Sequence, residues 1–95
     1  MITNNVMLRL EERSNENIEK ARNILLSMKG KIEILRDIKV EVAIHEGEYD
    51  ILLITKFDSM EDLNNYQVHP VHLEVQKYIV SVLKTAASLC YESLD

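Results

Sequence analysis

The sequence predicts an α+β domain in the order strand, helix, strand, strand, helix, strand. Three observations carry that expectation. Large apolar residues fall at every second position at Val6, Leu8, Leu10, alternating with Met7 and Arg9, and again at Ile38, Val40, Val42, Ile44. Two other stretches repeat apolar residues every three or four positions. The run Ile51, Leu52, Leu53, Ile54 is apolar on both faces of an extended chain. With 95 residues, 46% of them hydrophobic and only two glycines and one proline, the expected organisation is one domain over 1–95 with no linker.

The first strand is expected over 2–11. Ser14 is a fitting N-cap for a helix whose buried stripe is Ile18, Ala21, Leu25 and Met28, with Glu16 and Lys20 paired on its surface. Gly30, directly after Lys29, is placed to end that helix in a left-handed cap. The second strand runs from Ile38 with Ile38, Val40, Val42 and Ile44 inward and Lys39, Glu41, Ala43 and His45 wet. Glu46, Gly47 and Glu48 make a tight connection to a third strand at 49–57, forming an antiparallel hairpin. Ser59 caps a short helical segment through Met60, Leu63 and Tyr66. Pro70 disfavours a helical residue before itself and fits a first turn, so a new segment starts there, with His72, Val75, Ile79 and Val82 inward. A last strand at 84–91 completes the order.

That order predicts a ferredoxin-like βαββαβ fold, a four-stranded antiparallel sheet with two helices on one face. Leu52 and Ile54, with Met7 beside them, then point away from the helices. Each is worth about 1.5 to 3 kcal/mol when fully buried, so the expectation is a homodimer joined through this sheet face. The alternative is a loop or terminus folded over it. A small chain also buries only about two-thirds of its unfolded surface, which favours a partner.

Eleven Lys and Arg against sixteen Asp and Glu give a net charge of -5 without a basic cluster, so neither nucleic acid nor an anionic membrane is an expected partner. The four-residue aliphatic run is far short of the roughly 20 residues of a membrane span. Cys90 has no internal disulfide partner and reads as a small core residue. The first residues lack a secretory pattern, and the expected compartment is the cytoplasm.

His72 stands in an apolar stripe where packing alone would place Val or Leu. Burial there disfavours the charged ring and keeps it neutral, the state a general base needs. The plainer reading is a core histidine satisfied by a carbonyl or a tyrosine hydroxyl. Tyr66, six residues earlier, can offer its hydroxyl to His72 or to a ligand. His69 stands before Pro70 and completes a His-Pro-Val-His run. A metal reading lacks further ligands, so His69 is expected at the helix junction, as a cap or at the edge of a pocket. His45 is read as solvated. No phosphate loop, zinc-spaced cysteines or activated nucleophile is visible, and no cofactor is expected.

Tyr66 to His72, Tyr-Gln-Val-His-Pro-Val-His, followed by Leu-Glu-Val, resembles the signature of the stress-responsive A/B barrel (Dabb) family. The opening Val-Met-Leu-Arg-Leu and the stretches Tyr49-Asp50-Ile51 and Phe57-Asp58-Ser59 are also similar to it. The resemblance implies a ferredoxin-like chain that dimerises through its sheets into an α+β barrel. Some plant members that look similar cyclise polyketides without a cofactor, and in those the residues matching His72 and Tyr66 are the base and its assistant. The chain departs from those cyclases at Asn4 and Ile51, where they carry histidines.

Two functions are therefore weighed. One is a homodimer with a pocket between helix and sheet, lined by Asn4, Ile51, Tyr66, His69 and His72, that binds a small apolar or aromatic molecule, with cofactor-free acid-base chemistry of a cyclase or isomerase kind open to it. The other is a non-catalytic, stress-associated structural or binding dimer. A haem or aromatic-substrate monooxygenase, shared only by architecture, is weaker.

Overall fold

The computed structural model describes residues 1–94. Its elements are β1 (Ile2–Leu10), α1 (Asn15–Leu26), β2 (Asp37–Val42), β3 (Ile51–Phe57), α2 (Met60–Gln67), α3 (Pro70–Val82) and β4 (Leu83–Glu92). The four strands form one antiparallel sheet in the order β2-β3-β1-β4, the ferredoxin-like arrangement. The second helical region is divided at His69 and Pro70, so three helices lie on one face.

Ser14 caps α1 by accepting the Asn17 amide, and Ser59 caps α2 by accepting the Asp62 amide. Ala21, Leu25 and Met28 are buried as their spacing requires. The helix itself stops at Leu26, and Gly30, with φ +79°, serves the turn that follows instead of ending the helix. Lys20 sits over the Tyr78 ring, 5.3 Å from its centroid, and so leaves the surface pair with Glu16 for a cation-π contact between helices.

The interior strand β3 has Ile51, Leu53, Thr55 and Phe57 fully covered on the helix side and Leu52, Ile54 and Lys56 half-buried on the other. Its register places Met7 opposite Leu52 and Asn5 opposite Ile54, so the outer face carries the apolar group expected of it. Leu89 and Tyr91 of β4 extend that group and are exposed. The chain terminus covers only one end, where the Ser93 hydroxyl meets Thr3 and the main chain of Met1.

Three expectations are corrected. β2 ends at Val42, and Ile44 is 96% exposed, because the connection over 43–50 is a broad loop and not a tight turn. Cys90 lies in the edge strand β4 and is exposed, with only a 4.0 Å contact from its Sγ to Met60 Sδ at the start of α2. The strands β1 and β3 are shorter than expected at one end each, since β3 begins only at Ile51.

Candidate functional site

The layer of helices is not uniform. α1 packs on β2 and β3, while α3 leans chiefly on α1 and α2. The inner side chains of β4 beneath α3 are small: Ala86 pairs with Leu8 and Ser88 with Val6, and these partners share a face. Where a helix meets a strand bearing only small side chains, the space between them stays open. The result is a cavity of about 560 Å³ whose walls include Val6, Leu8, Leu53, Val75, Ile79 and Leu83. That volume lies within the roughly 300 to 1,000 Å³ usual for small-molecule sites.

Its polar groups are few. Asn4 from β1, Tyr66 and Gln67 from α2, His72 and Gln76 from α3, and Ser88 from β4 line it. No Lys, Arg, Asp or Glu is among the lining residues. Of the residues picked from sequence, the structure brings Asn4, Tyr66 and His72 together. Ile51 is buried on the helix side of β3 but does not line the cavity. His69 also stays out of it: its Nδ1 accepts the Val71 amide at 3.1 Å, making it the N-cap of α3.

His72 is half-buried on the first turn of α3. Its ring packs against that of Tyr66, with centroids 4.4 Å apart and planes tilted by 53°. His72 Nδ1 lies 3.1 Å from the main-chain oxygen of Gln67. A carbonyl only accepts, so Nδ1 carries the proton and Nε2 is left as the acceptor of a neutral ring. Loss of hydration lowers the His72 pKa from its usual value; the Gln67 contact works the other way, and the nearby His69 adds to the lowering. Tyr66 is buried between Phe57, at 4.9 Å between centroids, and His72. Burial pushes its pKa up to about 12, and its hydroxyl points at Met28 Sδ, 3.8 Å away. Sulfur is a weak acceptor, so this hydroxyl is held loosely.

Gln76 and the small residues of β4 were not singled out from the sequence. Gln76 follows His72 by four residues, the spacing that puts both on one helix face. Nothing local marks Ala86 and Ser88, which matter through what they leave empty. A second polar cluster also escaped notice: Asp50, 4% exposed, accepts from the Leu10 amide at 2.9 Å and from Arg13 Nε at 2.8 Å, while Arg13 also donates to the Gly47 carbonyl. Among the described residues no group of three or more His, Cys, Asp or Glu is gathered closely enough to hold a metal ion. No helix among them is long and apolar enough to cross a membrane.

The fold and cavity define a ferredoxin-like α+β protein with a ligand-sized space between helix and sheet. The model of the stress responsive A/B barrel domain matches residues 2–93, and the chain belongs to that family. Among solved structures it is similar to an Arabidopsis thaliana protein, with 17% identity, TM-score 0.86 and coverage of 100% of this chain and 97% of that one. A dimeric protein of unknown function from Bacteroides fragilis, also ferredoxin-like, has 24% identity and TM-score 0.82 over 97% of this chain and 95% of that one. The hydroxynitrile lyase of Passiflora edulis has 16% identity and TM-score 0.81 over 95% and 90%. At these identities the likeness is one of fold. No curated protein matches the chain significantly.

Proposed function

We propose that the chain binds a small apolar or aromatic molecule in the cavity beneath α3, with His72 as the proton-accepting group at its polar end. The observation that carries this reading is a ligand-sized space lined by a histidine whose Nδ1 is occupied and whose Nε2 has no partner among the described residues. The chemistry within reach is proton transfer without a cofactor: Nε2 of neutral His72 withdraws a proton next to a carbonyl, and the loosely held Tyr66 hydroxyl donates to the oxygen as charge builds there. The test is to fill the space. Ala86→Phe is expected to abolish binding of fragment-sized aromatic molecules, followed by amide NMR shifts, while the protein stays folded. Undiminished binding would place the ligand elsewhere. If a substrate is found, His72→Ala turning it over at the parental rate would leave the protein a binder only.

The outer sheet face, with Met7, Leu52, Ile54, Leu89 and Tyr91, is assigned to a second copy of the chain. Its unpaired apolar residues support this, as do the dimeric structures of similar fold. Leu52→Glu should turn a dimer into a monomer in sedimentation at micromolar concentration. A parental protein that sediments as a monomer would remove this assignment.

A further inference from the structure

The hydrogen-bonding state of the cavity limits what can occupy it. The Gln67 carbonyl fixes the tautomer of His72, so the atom left for a ligand is an acceptor. Among the described residues, Nε2 has no protein donor. A ligand that covers this nitrogen without supplying a hydrogen strips it of water and gives nothing back, which costs affinity. The other polar groups are amphoteric or donating: the Asn4, Gln67 and Gln76 amides and the Ser88 hydroxyl can do either, and the Tyr66 hydroxyl has only the Met28 sulfur to give up. A hydroxyl answers both sides at once, donating to Nε2 and accepting from Tyr66 or Asn4.

Charge narrows the choice further. No cation lines the cavity, and the walls are mostly Val, Leu, Ile and Ala. A carboxylate or phosphate would lose its hydration there with no opposite charge to meet it. We infer that the cavity selects an uncharged ligand whose polar head donates a hydrogen bond, an alcohol or phenol on an apolar body, over the matching ether or carboxylate. This rests on the small-molecule reading given above and names the ligand class for that same site.

The experiment is a comparison of 4-propylphenol, 4-propylanisole and 4-propylbenzoate with the unaltered protein at pH 7.5, titrated by amide NMR. The phenol is expected to bind about tenfold more tightly than the anisole, the factor that goes with one desolvated acceptor left unpaired, and the benzoate more weakly still. In His72→Leu the preference for phenol over anisole should fall to within about twofold. Anisole or benzoate binding as tightly as phenol, or a preference unchanged in His72→Leu, overturns the inference while leaving the cavity a binding site. If none of the three probes shifts the resonances of Ile79 and Ala86, both this inference and the small-molecule reading fail.

Discussion

Among the polar groups this small core admits, those of the Asp50 corner and of the His72 cavity are built in opposite ways. Asp50 is almost wholly buried, yet its oxygens are answered by the Leu10 amide and by Arg13, whose side chain also holds the 43–50 loop through Gly47 and reaches Glu46 at 3.5 Å. The pairing of β1 with β3 ends at Leu8 and Ile51, and the Leu10 amide just beyond it is the one Asp50 receives. His72 is less buried and less satisfied: one ring nitrogen is anchored, the other has no partner among the described residues, and the ring lines a cavity. A polar cluster closed on itself holds the fold, whereas one left open has capacity for a ligand.

The sharpest way to break that contrast is to open the closed cluster. Asp50→Ala leaves the Leu10 amide without an acceptor and Arg13 without its carboxylate, and loss of one partner of a buried pair typically costs about 3 kcal/mol or more. Chemical denaturation should show this loss, while the affinity of a cavity ligand for the folded fraction stays close to parental. An Asp50→Ala protein as stable as the parent would mean that the corner is dispensable. A smaller effect belongs to His69, which also stands on the closed side of the comparison. His69→Ala removes the acceptor of the Val71 amide at the start of α3, a loss of about 1 kcal/mol on the scale of other N-caps. A much larger loss of ligand affinity than of stability would move His69 from the helix junction into the binding site.

Much of this was legible in the sequence where a signal is local. Pro70 after His69 announces the break between α2 and α3 because proline constrains its predecessor, and Ser14 and Ser59 announce helix starts because their side chains satisfy amides two or three residues on. The double-faced apolar run of β3 points to an interior strand with an uncovered outer side. What failed were endings. The alternation of β2 continues through Ile44, yet the strand stops at Val42, because Arg13 and Asp50, far apart in sequence, shape the loop that follows. The cavity was legible only at its polar end. His72 stands out in its stripe, but the empty volume depends on Ala86 and Ser88 lying across from α3, a fact of strand register that no short window contains. Cys90 was misjudged for the same reason, since whether a β4 side chain is covered depends on how far the helices extend over the edge strand.

The smallest expected effect concerns the open side. In the folded chain the His72 pKa lies below its ordinary 6.5, chiefly because half-burial removes water from the charged ring. As the pH falls, the unfolded chain therefore takes up this proton first. Protonation of His72 draws the equilibrium toward unfolding between pH 6.5 and the lower folded value; above pH 6.5 the neutral ring's contribution to stability is complete. Carboxylates add their own pH dependence, so the observable is a difference. Between pH 7.5 and 5 the parental protein should lose slightly more stability than His72→Gln, whose amide does not titrate, with the two curves parallel above pH 7. Curves that stay parallel down to pH 5 would mean that His72 is as well hydrated in the fold as in the unfolded chain, and that half-burial does not help to keep its ring neutral.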